Sequence, residues 1–126
     1  NVWFALATGG VSLYTTGGEW VTFREADGLL LDEVNVVAVD QAGQIWFGTD
    51  GEGISVLDHK GTLTDKSDDS WTAYQPGAPL LSGYIQAITV DGWGQVWVGA
   101  FGGGLSVYST VTFRQLHLPI IRQPYQ

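Results

Sequence analysis

The sequence predicts an all-β protein made of repeated four-stranded antiparallel sheets, and three observations support this prediction. Gly accounts for 18 of the 126 residues and aromatic residues for 13%, a composition typical of short aromatic strands joined by tight turns. Apolar residues make up 44% and charged residues 14%, which indicates a folded chain rather than a disordered one. No stretch shows the periodicity of apolar residues that predicts a helix.

A repeat is visible when segments of the chain are aligned. The matching pairs are Val34–Asp40 with Ile85–Asp91, Gly43–Gly48 with Gly94–Gly99, and Gly53–Val56 with Gly104–Val107. The N-terminus joins the pattern part-way through a unit, because Trp3 precedes Ser12 by the same distance as Trp46 precedes Ser55 and Trp97 precedes Ser106. Each unit therefore predicts the same short strands in the same order.

The complete middle unit predicts four strands. They are A (Val34–Val39), B (Gln44–Thr49), C (Gly53–Asp58) and D (Trp71–Gln75). Strand A is apolar on both faces, with Val34, Val36 and Ala38 expected on one face and Val37 and Val39 on the other. A sheet that is apolar on both faces must lie between two other layers. The blades of a β-propeller are layered in this way.

The chain accounts for about three such blades. Residues 1–28 supply strands B to D, residues 29–75 a full blade, residues 76–114 strands A to C with a further strand D, and residues 115–126 an atypical tail. The last strand D is predicted at Val111–Arg114, which matches Val21–Arg24. Closed propellers typically have ~4–8 blades. We therefore expect the chain to be part of a larger or oligomeric propeller, completed by blades of the same parent chain or of another copy.

Several repeated residues have structural interpretations. Asp40–Gly43 and Asp91–Gly94 predict tight hairpin turns, in which the Asp side chain accepts backbone N–H groups and Gly supplies a positive φ. Trp3, Trp46 and Trp97 are predicted to pack between blades, and Trp20 and Trp71 to cover the outer edge. The small residues Ala5, Gly48 and Gly99 predict close approach of neighbouring blades.

These residues resemble the two-component regulator propeller repeat, whose pattern is Asp-x-x-Gly-x-aliphatic-Trp-aliphatic-Gly-Thr followed by a Gly-Gly turn. The middle unit fits it at Asp40, Gly43, Ile45, Trp46, Gly48, Thr49 and Gly53, and the third unit at Asp91, Gly94, Val96, Trp97, Gly99, Gly103 and Gly104. The resemblance implies a sensor or binding domain outside the cytoplasm, often in glycan-responsive proteins. Because the sequence contains no histidine-kinase or DNA-binding segment, the signalling role is not expected here.

Composition and motifs argue against several classes of function. The net charge of −8 opposes binding to nucleic acid or to an anionic membrane, and no apolar run approaches the ~18 residues of a membrane span. The chain has no Cys, and its two His residues, His59 and His117, lie outside the repeats. The acidic insert Asp65–Ser70 lacks the Gly and Glu of a calcium loop. We therefore expect no enzyme, no cofactor and no metal site.

The residues that do not repeat are the candidates for a binding site. Loops between strands B and C and between blades form one face of a propeller, and here they supply Asp32, Glu33, Asp50, Glu52, Tyr84 and Phe101. Carboxylates beside aromatic rings can bind a sugar or a cation. On the opposite face, Trp93 occupies a hairpin tip and either packs on a neighbouring loop or contacts a partner.

The expected function is non-enzymatic binding of a ligand or a protein in an extracellular or periplasmic location, with glycan sensing as one form of it. Two alternatives remain open at this stage. The chain can be a structural or assembly module, or it can be part of a propeller enzyme whose catalytic residues lie elsewhere.

Overall fold

A computed structural model describes residues 1–77, 82–109 and 112–116, the last segment as backbone only. Its strands in chain order are β1 (Val2–Leu6), β2 (Gly10–Tyr14), β3 (Trp20–Phe23), β4 (Val34–Val39), β5 (Ile45–Thr49), β6 (Ile54–Asp58), β7 (Ser70–Tyr74), β8 (Ile85–Val90), β9 (Val96–Ala100), β10 (Gly104–Ser109) and β11 (Thr112–Leu116). Two 3-10 helices span Glu25–Asp27 and Lys66–Asp68. Neither helix within the described residues has the length and apolar character that crossing a bilayer requires.

The strands form three antiparallel sheets in which neighbours in sequence are neighbours in space. The first sheet is β1-β2-β3, the second β4-β5-β6-β7 and the third β8-β9-β10-β11. The prediction of an all-β fold with antiparallel sheets is confirmed. Four strands are present in the second and third sheets and three in the first.

The sheets stack face to face, with β4 contacting β1 on one side and β8 on the other. One core lies between the first and second sheets and consists of Val11, Phe23, Leu29, Val34, Ile45, Phe47 and Leu57. The other lies between the second and third sheets and consists of Trp46, Ile54, Val56, Ile85, Ile88, Val96 and Val98. The second sheet is therefore buried on both faces, as its apolar sequence predicts.

A β-bulge corrects the predicted faces of strand A. The pairing of β4 with β5 shifts between Val34 and Val36, so that Val34 joins the first core while Val36 packs against the second. The prediction that Val34 shares a face with Val36 and Ala38 is wrong, because the extra residue of a bulge reverses the side-chain alternation. The third sheet has the same irregularity between Ile85 and Ala87.

The repeated Asp residues hold the hairpin turns as predicted. Asp40 Oδ1 accepts hydrogen bonds from the backbone N–H groups of Ala42 and Gln44, both at 2.9 Å. Its Oδ2 accepts a further bond from the indole Nε1 of Trp46 at 2.9 Å. Asp91 repeats the arrangement, accepting the indole N–H of Trp97 at 2.8 Å. One carboxylate thus connects each turn to the repeat Trp.

The Trp residues differ in their surroundings. Trp46 is buried as predicted and stacks on Tyr74 with ring centroids 5.9 Å apart. Trp71, expected at the outer edge, contacts Phe23 and Phe47 in the first core. Trp20 is 64% exposed and lies on the face of the first sheet that is turned away from the second.

The insert between β6 and β7 folds back onto the first sheet. Lys66 Nζ forms an ion pair with Asp27 Oδ2 at 3.1 Å and donates a hydrogen bond to the backbone oxygen of Thr22. The same nitrogen lies 4.9 Å from the ring centroid of Phe23. The insert therefore fastens the second sheet to the first.

The last strand is displaced from its predicted position. It begins at Thr112, and Val111 lies outside the described residues. Ser106 pairs with Gln115, whereas the equivalent Ser12 pairs with Thr22. The alignment of Val111–Arg114 with Val21–Arg24 is therefore wrong by register, because the residue opposite Ser106 is Gln115 and not Thr112, which the alignment matches to Thr22.

Candidate functional site

The turns between strands B and C and the connections between sheets form one rim. In the second sheet the N–H of Asp50 donates to the carbonyl oxygen of Glu33 at 2.9 Å. In the third sheet the N–H of Phe101 donates to the carbonyl oxygen of Tyr84 at 2.8 Å. The two bonds are equivalent, so both sheets place two non-repeating residues side by side at the same end of their strands.

Backbone bonds connect these two pairs across the junction of the sheets. Asp50 and Tyr84 form an isolated β-bridge, and the N–H groups of Gly51 and Gly53 both donate to the carbonyl oxygen of Gly83 at 3.0 Å. Four of the predicted site residues therefore form a continuous row along the rim, namely Glu33, Asp50, Tyr84 and Phe101. This row is called the rim row below.

The side chains of the rim row are accessible to a ligand. Tyr84 is 53% exposed and Phe101 66% exposed, and the two acidic residues Glu33 and Asp50 are also exposed. The Tyr84 ring lies over Gly51, where a Cβ atom would be 3.3 Å from the ring and where φ is +130°. Because Gly51 has no Cβ atom, the ring can lie directly against its backbone.

The other two predicted site residues lie beside the row and are held differently. Asp32 Oδ1 accepts the N–H of Glu25 at 2.7 Å, and the N–H of Asp32 donates to Glu25 Oε2 at 3.0 Å. Its carbonyl oxygen accepts the N–H of Gly10 at the junction of the first two sheets. Glu52 is exposed in the next turn, where its N–H donates to Thr49 Oγ1 at 3.1 Å.

Asn35 is a further residue of this region that the sequence reasoning missed. Its side-chain amide donates to the carbonyl oxygen of Ile85 at 3.1 Å and points to Asp50 Oδ1 at 3.4 Å. It thereby connects the second sheet, the third sheet and the carboxylate of the row. The sequence does contain a sign of this role, because an amide side chain stands at the second position of both apolar A strands, as Asn35 and Gln86.

Trp93 lies at the opposite end of the strands from the rim row. Its side chain is 88% exposed, and it borders a cleft of about 210 Å³ between two hairpins. The prediction left open whether this ring packs on a neighbouring loop or faces a partner. Its high exposure shows that most of the ring faces solvent.

The groups considered for metal binding or catalysis make local contacts. Asp65 accepts the N–H and hydroxyl of Ser67 at 3.0 and 2.6 Å, and these bonds lower the pKa of its carboxyl group. His59 lies 3.1 Å from the carbonyl oxygen of Gly43 through Nε2, and His117 lies outside the described residues. Within the described part of the chain, no three His, Asp or Glu side chains are grouped as a metal site.

Comparisons with known proteins agree with the repeat. Residues 28–51 match the two component regulator propeller family, which confirms the resemblance for the connection into the second sheet and its first two strands.

A solved structure of PorZ, described as an essential bacterial surface component of the type-IX secretion system of Porphyromonas gingivalis, is similar with a TM-score of 0.62 and 21% identity. The similarity covers 83% of this chain and 16% of that one, and it shows the fold alone. No curated protein matches the chain.

Proposed function

We propose that this protein is a non-enzymatic propeller segment that binds a protein partner outside the cytoplasm through the rim row. The observation that carries the proposal is the alignment of two exposed carboxylates with two exposed aromatic rings along one rim. None of these four residues is required by the repeat, since their equivalents differ from one sheet to the next.

The chemistry of the row favours a cationic group of the partner, such as a Lys or Arg side chain. A carboxylate attracts the cation, and an aromatic face stabilises it further by a cation–π interaction. The net charge of −8 adds a field that attracts basic partners. A sugar remains the second ligand chemistry for the same residues, since aromatic rings and carboxylates can also stack on and hydrogen-bond to it.

A tetra-lysine peptide is a suitable probe, with a tetra-glutamate peptide as its counterpart. Asp50→Asn and Phe101→Ala should both weaken binding of the lysine peptide in calorimetry while leaving the melting temperature nearly unchanged. Glu19→Gln is the matched control, because it removes the same charge from an exposed residue in the turn at the opposite end of the strands. Equal losses in Asp50→Asn and Glu19→Gln would show that only overall charge matters and would contradict the proposal.

Assembly into a larger propeller is a second candidate function, and one observation favours it. The face of the first sheet turned away from the second exposes Val2, Phe4, Leu6, Tyr14 and Trp20. Their equivalents in the second sheet include Ile45, Phe47 and Leu57, which are buried against a neighbouring sheet. We propose that a further blade, from the same parent protein or from another copy, covers this face.

A further inference from the structure

The first sheet has a free edge at a place where the other two sheets have a further strand. In the second sheet β5 lies between β4 and β6, and in the third sheet β9 lies between β8 and β10. The equivalent strand β1 pairs with β2, and no other strand of the described residues pairs with its opposite side. A free edge of this kind can bind an extended segment of another chain.

Two residues of β1 direct their backbone groups toward this edge. The N–H of Thr49 at the end of β5 donates to β6. Because the bonds of an antiparallel ladder recur at every second residue, Trp46 and Gly48 bond to β4 instead. β1 pairs with β2 in the same register as β5 pairs with β6. Trp3 and Ala5 therefore hold the N–H and carbonyl groups that face the free edge.

An apolar side chain of the second sheet lies beside this edge. β1 contacts β4 as β5 contacts β8, and Val39 of β4 is 47% exposed. Its equivalent in β8, Val90, is half-buried and packs against the second core together with Val36 and Ala38 of β4. β4 thus helps to cover Val90, whereas no described strand has the same relation to Val39. An added strand would therefore gain both backbone bonds and an apolar contact.

The strands in the equivalent positions of the other sheets indicate which segment fits. β4 and β8 have the apolar sequences VNVVAV and IQAITV. A small residue stands opposite the repeat Trp in both, with Ala38 opposite Trp46 and Thr89 opposite Trp97. A fitting segment therefore has a small residue opposite Trp3 and β-branched residues beside it. The free edge of a second copy matches this pattern poorly, since β1 has the bulky sequence VWFAL.

We propose that the free edge of β1 is a β-strand addition site for an extended apolar segment of another protein. The segment lies antiparallel to β1, exchanges backbone hydrogen bonds with Trp3 and Ala5, and packs against Val39. The backbone bonds supply affinity, and the requirement for small and β-branched side chains supplies specificity. The edge is separate from the rim row, so this inference does not depend on the function proposed there.

A fluorescent peptide with the sequence of residues 84–91, which contains β8, is the probe, and fluorescence anisotropy should show saturable binding. The N–H of Asp91 donates to Gln95 beside β9, so the N–H of Thr89 also faces the neighbouring strand. N-methylation of the peptide at the residue corresponding to Thr89 should weaken binding by about tenfold or more. N-methylation at the residue corresponding to Ile88 is the matched control, because that N–H faces away and its loss should leave binding unchanged.

Two variants test the protein side of the contact. Val39→Asp places a charge beside the bound segment and should weaken peptide binding by about tenfold or more. Phe101→Asp makes the same kind of change at an exposed side chain on the third sheet and should bind the peptide as the native protein does. Hydrogen exchange gives a second readout in the native protein, where the peptide should protect the amide protons of Trp3 and Ala5.

Four results would overturn the proposal. They are no saturable binding of the peptide, equal effects of N-methylation at its two positions, equal losses in Val39→Asp and Phe101→Asp, or binding without protection of Trp3 and Ala5. Peptide binding that weakens as the protein concentration rises would show that a second copy occupies the edge, which also contradicts the proposal. Phe101→Asp should weaken binding of the lysine peptide alone, so that failure at the rim row can be distinguished from failure at the edge.

Discussion

Gly48 lies so close to Ile85 of the third sheet that a Cβ atom at position 48 would be 2.5 Å from Ile85 Cγ2. The same Cβ atom would lie 2.6 Å from Cγ1 of Val36 in its own sheet. The equivalent Gly99 is much less confined, since the nearest atom to a Cβ there is the Cβ of Ala87 at 3.8 Å. The close approach predicted from the small residues is thus present at Gly48, where two sheets pack.

Gly48→Ala should therefore lower the free energy of unfolding by about 1–3 kcal/mol, the usual cost of overpacking a core. Gly99→Ala is the matched control and should change it by no more than about 0.5 kcal/mol. Chemical denaturation of the two variants measures both values. Similar losses of unfolding free energy in the two variants would contradict this. They would show that the backbone conformation of glycine, and not the contact with Ile85, determines the cost.

The Asp91 turn should show a defined pH dependence. The indole N–H of Trp97 and backbone N–H groups lower the pKa of the Asp91 carboxyl below its ordinary value of 3.8. Its stabilising contribution is therefore fully present above pH 3.8 and is lost as the pH falls through the lower, folded-state pKa. The difference in denaturation midpoint between the native protein and Asp91→Asn should be constant above about pH 5 and shrink in acid. A difference that grows with falling pH would refute this role.

Trp46 should be the most costly of the repeat Trp residues to truncate. It is 1% exposed and contacts Tyr74 and Tyr108 in the second core. Trp46→Ala should lower the free energy of unfolding by about 3–5 kcal/mol, as measured by urea denaturation. Trp93→Ala removes the same side chain from a site that is 88% exposed and should cost at most about 0.5 kcal/mol. A loss below about 1 kcal/mol for Trp46→Ala would contradict its packing role.

The exposed face of the first sheet should promote association. Trp20 lies 4.8 Å from Tyr14 and 5.8 Å from Phe4, measured between ring centroids, so the three rings form one aromatic patch. Light scattering after size-exclusion chromatography should detect concentration-dependent association, and Trp20→Ser should reduce both this association and binding of an apolar dye. Trp93→Ser is the control for loss of an exposed indole. A native protein that stays monomeric and binds no dye would contradict the assembly role.

Most of the fold could be predicted from the sequence because the same residues recur at the same spacing. Strand positions in the middle unit were correct to within one residue at each end, since short apolar runs bounded by turns that contain Asp and Gly are local signals. The bulge at Asn35 could not be predicted in this way. Strand A is apolar on both faces, so its sequence pattern does not show where the side-chain alternation shifts.

The candidate site was only partly predictable for a related reason. The repeat identified Glu33, Asp50, Tyr84 and Phe101 as non-repeating residues on one rim, and their proximity follows from equivalent positions in adjacent sheets. The cleft beside Trp93 was not predictable, because it depends on the distance between two hairpins. The local bond between Asp32 and Glu25 also has no counterpart in the repeat.

Lys66 ties the insert of the second sheet to Asp27, Phe23 and Thr22 beside the first sheet. In a stack where each layer touches only its neighbours, stability is close to a sum of the individual layers and their interfaces. The ion pair and the ring contact of Lys66 give the first interface an extra connection. The first two sheets should therefore exchange their amide protons as one cooperative unit.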